Sequence, residues 1–375
     1  MRKAVITTFF KAENYGAALQ AYALEDIIQK RNYKPEILNY RDAAIEDLYN
    51  IFYFKRETFY LSIRAFLGNI IFYRRNRKRH LKFQEFQRDF LKIGEREYRS
   101  AEDVKRNPPN ADIYITGSDQ VWNASITEGL SDIYTLNFGE GQIKKVAYAA
   151  SIGSGILSQS EKENLKEKIS GIDCVSVREL TAGQIVGDLL PLKPVAVTLD
   201  PVLLRNQEEW EANLTFNKRK KDKYILAYHV EEDEEYRKAV NALSQMTGLK
   251  ILHFDRRNRF CNALKSAYTA GPLEFVSLIQ HAEYVITTSF HGTAFSIIFH
   301  KKFWVFPHRQ TGSRVNDLLS LLGISERAVQ TFEEFSSKDY DSEIDYVRVE
   351  KILSQERKKS LEWLENALKK SDDLT

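Results

Sequence analysis

A histidine near the start of a predicted helix has the surroundings of a reaction centre. His291 lies just after a buried strand that ends at Thr287, where an apolar helical pattern begins. The first amides of a helix have no partner within the helix and attract anions. We therefore expect Ser289, Gly292 and Thr293 to hold an anionic group. A histidine beside it can donate or accept a proton near neutral pH; the alternative is a histidine that only stabilises the turn.

Two arginines occupy positions suited to the same kind of ligand. Arg178 comes directly after a buried strand, and its guanidinium suits a carboxylate or a phosphate. The competing interpretation is an ion pair with Glu179. Ser313 and Arg314 precede a second helical run, at 315–322, and form a further anion-binding candidate.

A third segment combines hydrogen-bonding side chains with an aromatic surface. Ser118, Asp119 and Gln120 follow a glycine at the end of a predicted strand, and Trp122 comes two residues later. This mixture is typical of carbohydrate sites, because an indole covers a sugar ring while amides and acids bond to its hydroxyls. We expect this segment to bind a sugar acceptor.

The turn after the first strand is the fourth candidate. Asn14, Tyr15 and Gly16 lie between that strand and the first helical pattern, and we assign them to the acceptor as well. The pattern G-x-G-x-x-G is absent here, so the turn does not predict a dinucleotide site.

Composition restricts the function classes. The chain has 375 residues, 43% of them hydrophobic, and a net charge of +3, which gives no global argument for a nucleic-acid partner. Its two cysteines lack a C-x-x-C spacing, and no ligand set for a metal is visible, so we expect neither a disulfide framework nor a metal site. No signal peptide and no uncharged apolar run of membrane-spanning length are recognisable, and we expect a cytoplasmic protein.

Short apolar runs alternate with helical patterns, which is typical of βαβ units and parallel sheets. The runs predicted as strands include 4–9, 112–116, 146–150, 174–177, 224–228 and 284–287. They predict an α/β fold of two Rossmann-like, doubly wound domains that face a cleft, with ligands at the carboxyl ends of the strands. We place the N-terminal domain at 1–205, a linker at 206–223, the C-terminal domain at 224–345, and a last helix at 346–375 that packs back on the first domain.

The region 45–92 interrupts this alternation with many aromatic and basic residues. We expect a helical insertion in the N-terminal domain, with its aromatic side chains buried and its charges in water. The alternative is an amphipathic surface for an anionic or lipid-linked acceptor, which would place the protein against the inner face of the membrane.

Six segments, in this order, resemble the polysaccharide pyruvyl transferase family. They are Asn14-Tyr15-Gly16-Ala17 with Leu19-Gln20-Ala21-Tyr22-Ala23-Leu24, Gly117-Ser118-Asp119-Gln120-Val121-Trp122-Asn123, Tyr148-Ala149-Ala150-Ser151-Ile152-Gly153, Ser176-Val177-Arg178-Glu179, Asp200-Pro201-Val202-Leu203-Leu204 and Ser289-Phe290-His291-Gly292-Thr293. The resemblance runs from Met1 to about Val329 and implies the two-Rossmann-domain architecture called GT-B. It also implies transfer of the enolpyruvyl unit of phosphoenolpyruvate to two sugar hydroxyls, which leaves a cyclic pyruvate ketal in a polysaccharide or exopolysaccharide.

By this resemblance His291 matches the family's acid/base histidine, and Arg178 matches an arginine that holds the donor's carboxylate or phosphate. Several characterised members also carry a second arginine two residues before the histidine, where this chain has Ser289. Either Arg314 replaces it, or the donor is a compound other than phosphoenolpyruvate. The implied co-substrate is phosphoenolpyruvate, the acceptor is a saccharide, free or lipid-linked, and no cofactor is expected. The alternatives are a glycosyltransferase that uses a nucleotide sugar and a binding homologue without catalysis.

Overall fold

The computed structural model describes residues 1–42, 45, 71–139, 141, 143–153, 155–214, 223–231, 233–308 and 312–369. The chain divides into two compact units. Unit 1 comprises Met1–Tyr53, Gln87–Leu204 and Gln355–Thr375, and unit 2 comprises Phe54–Phe86 and Arg205–Ser354.

The described part of unit 1 is built on a six-stranded parallel sheet. Its strands are β1 (Arg2–Thr7), β2 (Tyr33–Ile37), β3 (Ile113–Thr116), β4 (Lys144–Ala150), β5 (Cys174–Val177) and β6 (Val195–Val197). Their order is β2-β1-β3-β4-β5-β6, so the direction of winding reverses between β1 and β3. Parallel α/β sheets bind ligands at the carboxyl ends of their strands, next to such a reversal.

Helices cover this sheet, which explains why its central strands are continuous apolar runs. The helices of unit 1 include α1 (Tyr15–Lys30), α3 (Ala101–Arg106), α4 (Gln159–Ile169), α5 (Leu180–Leu189) and α6 (Pro201–Leu204). Val5 and Ile6 of β1 and Val146 of β4 are fully buried. The carboxyl ends of the strands are therefore held on a rigid apolar core.

The described part of unit 2 has a four-stranded parallel sheet. Its strands are β7 (Tyr224–Tyr228), β8 (Lys250–His253), β9 (Tyr284–Thr287) and β10 (Lys302–Val305), and its helices include α7 (Gln207–Glu211), α8 (Glu234–Thr247), α9 (Pro272–Gln280), α10 (Phe290–Ile298), α11 (Ser313–Leu322) and α12 (Phe332–Ser336). The order β10-β9-β7-β8 reverses between β7 and β9. The predicted α/β class with two Rossmann-like parallel sheets is confirmed.

The proposed linker at 206–223 contains structure that its polar composition did not predict. Residues 206–214 include α7, where Asn206 and Glu209 form a capping box. Trp210 of this helix is fully buried and lies edge-on to Phe295, with ring centroids 5.0 Å apart. The described part of this segment is thus packed into unit 2, and 215–222 lie outside the described residues.

Most of the predicted insertion, 46–70, lies outside the described residues. The remainder forms α2 (Tyr73–Phe90), between β2 and β3 in sequence, and its residues up to Phe86 group with unit 2 rather than with unit 1. Arg75 donates a hydrogen bond to Ser266 Oγ at 2.9 Å, and Tyr268 donates one to Asn76 at 3.0 Å. These contacts with a segment after β8 explain the grouping.

The last helix, α13 (Tyr346–Leu368), groups with unit 1 from Gln355 onward. Arg357 Nε donates to the carbonyl of Leu203 at 2.6 Å, and Ser360 Oγ accepts the amide of Leu199 at 3.0 Å. Among the helices in the described ranges, none combines the length and the hydropathy needed to span a bilayer.

Candidate functional site

Four of the seven histidines lie at the carboxyl edge of the unit 2 sheet. His229 follows β7, His253 ends β8, His291 lies on the first turn of α10 after β9, and His308 follows β10. Parallel α/β sheets place their ligands at this edge. Only His291 was predicted; the other three carried the same signal, a polar side chain where a buried strand ends.

The turn before His291 is a capped helix start. Ser289 is the N-cap of α10, and its Oγ accepts the amide of Gly292 at 3.3 Å. Thr293 is fully buried, and its hydroxyl donates to the carbonyl of Ser289 at 3.0 Å. The contacts of Ser289, Gly292 and Thr293 therefore build the helix end, and the anion-binding role of these residues stays a prediction.

Gly292 is required by packing. A Cβ at this position would lie 2.4 Å from Thr287 Oγ1 and 3.2 Å from Tyr228 Cδ1, so the helix approaches the central strands too closely for a side chain. The glycine therefore lets the first turn of α10 pack directly against β7 and β9.

Replacing Gly292 with alanine is therefore expected to destabilise the protein by about 1–3 kcal/mol, the usual cost of overpacking a core. Thermal denaturation measures the effect. Gly187→Ala is the control, because a Cβ added to Gly187 in α5 would meet nothing within 4 Å, and alanine favours a helix. Equal melting temperatures for Gly292→Ala and wild type would contradict the packing argument.

The loops after β7 and β9 are joined at the reversal of the sheet. Thr288 Oγ1 accepts the amide of Val230 at 3.0 Å, which holds the His291 turn beside the His229 turn. His291 is 7% exposed, and the ring of Phe290 stands edge-on to it with centroids 5.2 Å apart. The imidazole is thus held in a largely desolvated setting, where a proton transfer is shielded from water.

His229 forms a charged pair that the sequence did not predict. Its Nε2 lies 2.5 Å from Asp255 Oδ1 and its Nδ1 lies 2.8 Å from the carbonyl oxygen of Glu231. Both neighbours are acceptors, so the imidazolium is the form that satisfies both ring nitrogens. Burial alone would raise the pKa of Asp255, but the hydrogen bond from His229 and the nearby His253 outweigh it and lower that pKa below its usual range.

The remaining anion-binding candidates of unit 2 lie at the start of α11. Ser313 and Arg314 are half-buried on its first turn, after the N-cap Gly312. His308, at the end of β10, pairs with Glu231, whose Oε2 lies 2.6 Å from the His308 Nε2. Residues 309–311, between these groups, lie outside the described residues.

Arg178 lies in unit 1, where it is the centre of a buried ion-pair network. Its Nη1 is 2.7 Å from Asp200 Oδ2, and its Nε is 3.2 Å from Glu179 Oε1. Burial by itself lowers the pKa of Arg178, but the carboxylates of Glu179, Asp200 and Asp119 outweigh it and raise that pKa. The ion pair with Glu179, our competing interpretation, is therefore what the structure shows, with Asp200 as a stronger partner that we missed.

Asp200 connects this network to the loop after β3. Its Oδ2 also accepts a hydrogen bond from Ser118 Oγ at 3.1 Å, and its Oδ1 accepts the amide of Val202 at 3.0 Å. Ser118 is fully buried. Its hydroxyl is thus part of the scaffold, and it does not reach a saccharide in the way that we had predicted.

The tryptophan of this loop faces inward instead of offering a surface to a sugar. Trp122 is 2% exposed, and its Nε1 donates to the carbonyl of Tyr134 at 3.0 Å within the hydrophobic core of unit 1. The prediction that Trp122 covers a sugar ring is wrong, because the indole packs into that core. Tyr15 and Gly16, on the first turn of α1, are buried as well.

The other predicted acceptor residues are half-exposed and have local structural contacts. Asn14 caps α1, since its Oδ1 accepts the amides of Gly16 at 2.9 Å and Ala17 at 3.2 Å. Asp119 Oδ1 accepts the amide of Gln120 at 2.9 Å. Gln120 Oε1 accepts from Asn123 Nδ2 at 2.9 Å. Of the seven predicted acceptor residues, only Asn14, Asp119 and Gln120 retain the exposure that contact with a ligand requires.

Solved structures with a similar chain path include UDP-GlcNAc 2-epimerases and a glycosyltransferase. The UDP-GlcNAc 2-epimerase of Methanocaldococcus jannaschii is 10% identical, covers 95% of this chain and 99% of its own, and has a TM-score of 0.48. The UDP-GlcNAc 2-epimerase of Neisseria meningitidis is 12% identical, covers 97% of this chain and 99% of its own, and has a TM-score of 0.47. The glycosyltransferase SsfS6 of Streptomyces sp. SF2575 is 10% identical, covers 96% of this chain and 96% of its own, and has a TM-score of 0.43.

Among curated protein sequences, none matches this chain with significance. The family model described as polysaccharide pyruvyl transferase matches residues 14–310, more than three quarters of the chain. This range includes both His291 and Arg178 and ends before Ser313 and Arg314. The chain belongs to the polysaccharide pyruvyl transferase family.

Proposed function

We propose that the protein transfers the enolpyruvyl unit of phosphoenolpyruvate to two hydroxyls of a saccharide, forming a pyruvate ketal in polysaccharide or exopolysaccharide biosynthesis. The observation that carries this proposal is the placement of His291. It lies on the first turn of α10, at the carboxyl edge of the sheet and beside the β7–β9 reversal. Family membership supplies the reaction class.

The reaction needs one group that both donates and accepts protons. Protonation of the terminal enol carbon of the donor gives an oxocarbenium-like carbon, which a sugar hydroxyl attacks while it loses its proton. Phosphate then leaves with the C–O bond electrons, and the second hydroxyl attacks the same carbon, passes its proton to the released phosphate and closes the ketal. We assign the first proton to the imidazolium of His291, and the proton of the attacking hydroxyl to the imidazole that results.

The donor also needs fixed positive charge for its carboxylate and phosphate. The charge of Arg178 is already neutralised by Glu179 and Asp200. Ser289, at the position of the second arginine, is uncharged and caps a helix. We therefore assign Arg178 a positioning role in unit 1. Arg314, on the first turn of α11, is the residue that we propose for the anionic donor, because a helix start adds favourable amide dipoles.

We propose a cytoplasmic location, with contact to the inner face of the membrane through α2. Arg74, Arg77 and Lys78 of this helix are exposed, whereas Arg75 and Arg79 bond to the segment after β8. The exposed residues supply the positive charge that anionic lipids attract. This contact stays a prediction.

Thermal shift with phosphoenolpyruvate, uridine diphosphate and guanosine diphosphate tests the donor. We expect phosphoenolpyruvate alone to raise the melting temperature, because a ligand stabilises the fold that binds it. We also expect phosphate release from phosphoenolpyruvate only when a suitable saccharide is added. A shift with a nucleotide in place of phosphoenolpyruvate would favour the glycosyltransferase alternative. Binding of phosphoenolpyruvate without release across a saccharide panel would favour the non-catalytic homologue.

A further inference from the structure

A polar cavity of about 250 Å³ opens at the carboxyl ends of β7 and β8 in unit 2. His229, Tyr236, Asp255 and Phe260 line it, together with two arginines, Arg237 and Arg259, and two acidic residues at the start of α8. This volume accommodates several non-hydrogen atoms, since one water occupies about 30 Å³ of liquid. None of these residues has a part in the reaction described above.

Two buried polar atoms of this cavity lack hydrogen bonds within the described part of the chain. The first is the hydroxyl of Tyr236, a residue that is 2% exposed. The rings of His229 and Phe306 hold the Tyr236 ring, with centroids 5.4 Å and 6.1 Å away. Burying a hydroxyl without a partner is unfavourable, so a group from outside the chain is expected to meet it.

The second atom is Asp255 Oδ2, which accepts no hydrogen bond from any described residue. His253 Nδ1 lies 3.4 Å from this oxygen, which is longer than a normal N–H···O hydrogen bond, and it accepts the amide of Asp255 at 3.2 Å. Tyr236 and Asp255 both line this cavity, and burial, with the charge of Asp255 second, raises the pKa of Tyr236. The phenol therefore stays protonated and can donate.

Asp255 Oδ2 and the Tyr236 hydroxyl determine which chemical groups can bind in the cavity. A carboxylate oxygen accepts hydrogen bonds and donates none, so the missing partner must donate to Asp255. A Tyr236 hydroxyl that donates requires an acceptor in the same partner. An alcohol oxygen meets both needs, and Phe260 adds an apolar surface for the carbons that carry it.

We propose that this cavity binds a sugar hydroxyl, which donates to Asp255 Oδ2 and accepts from the Tyr236 hydroxyl. The cavity is then a saccharide subsite of unit 2. The inference that the bound saccharide is the acceptor rests on the proposed function. This subsite replaces the stacking site that we predicted at Trp122.

Saturation-transfer NMR with D-glucose, D-galactose and D-mannose as probes, and inorganic phosphate as competitor, tests the subsite. We expect at least one sugar to bind wild type, and Tyr236→Phe and Asp255→Asn each to weaken that binding about tenfold, the effect of one buried hydrogen bond. Tyr224→Phe is the matched control, because its hydroxyl already donates to the carbonyl of Leu278 at 2.7 Å. It should keep the sugar affinity and lower the melting temperature, whereas Tyr236→Phe should not lower it.

The proposal is overturned if none of the three sugars binds, if both pocket variants bind as wild type does, or if phosphate displaces the sugar. A sugar-soaked crystal that shows only an ordered water in the cavity would also overturn the proposal. Steady-state transfer from phosphoenolpyruvate separates this outcome from failure of the proposed function. If Tyr236→Phe catalyses transfer with an unchanged KM for the saccharide, the subsite proposal is wrong and the proposed function stands. If sugar binding depends on Tyr236 but no transfer occurs, the subsite proposal stands and the proposed function is wrong.

Discussion

Replacing His291 with alanine is expected to lower the rate of enolpyruvyl transfer by about 10²–10⁴-fold, the usual contribution of a positioned acid or base. The imidazole is the only group that we assign to proton transfer, and alanine offers no proton. The substitution leaves the Ser289 cap and the Gly292 contact with Thr287 in place, so α10 should keep its position. Phosphate release from phosphoenolpyruvate, measured with saccharide at saturation, gives the rate.

His281→Ala is the matched control for this experiment. His281 is exposed and lies before β9, at the opposite end of the strand from His291. Its loss should leave the rate unchanged. Circular dichroism and a melting curve establish that both variants fold. A folded His291→Ala protein with the wild-type rate would end the catalytic assignment.

Removing Arg178 is expected to unfold unit 1 rather than only to weaken a ligand. Arg178→Ala leaves the buried carboxylates of Asp200 and Glu179 without their cation, and breaking such a pair costs about 3–5 kcal/mol. Urea denaturation followed by fluorescence measures the loss. Because all three side chains are buried, we expect the loss of stability to exceed any effect on donor binding.

Arg99→Ala is the control for Arg178→Ala, because it removes an exposed ion pair from the same unit. Arg99 Nε lies 3.0 Å from Glu97 Oε1, in water, and its loss should change stability by no more than about 1 kcal/mol. The double variant Arg178→Met with Asp200→Asn should recover part of the lost stability, since it removes charges of both signs. A stable Arg178→Ala protein that no longer binds phosphoenolpyruvate would return Arg178 to the donor site.

The strands of both sheets were predictable because they are continuous apolar runs in a sheet covered by helices. The predicted strands 224–228 and 284–287 coincide with β7 and β9, and the predicted order of elements is the observed one. Helix starts were predictable where a cap is visible in the sequence, as at Ser289. These features depend on residues that are close together in sequence, so a single sequence is enough to predict them.

The direction of a side chain at a strand end was not predictable in the same way. Trp122 follows a strand in the position of a ligand-binding residue, but its indole packs in the core cluster that also contains Val121 and Tyr134. The grouping of α2 with unit 2 depends on contacts such as Arg75 with Ser266, which are distant in sequence. His229 and Asp255 were within reach of the sequence, because each follows a buried strand; their pairing across β7 and β8 required the sheet order.

Asp200 receives hydrogen bonds from Ser118 and Arg178, so a single carboxylate fastens the loops that follow β3, β5 and β6. A change at Asp200 takes a buried partner from both Ser118 and Arg178, and a change at either of those takes one from Asp200. Among sequences of the family, these positions are therefore expected to vary together, as a coupled set, more than each varies singly. The same coupling means that a donor or acceptor cannot draw one of these loops aside without moving its neighbours.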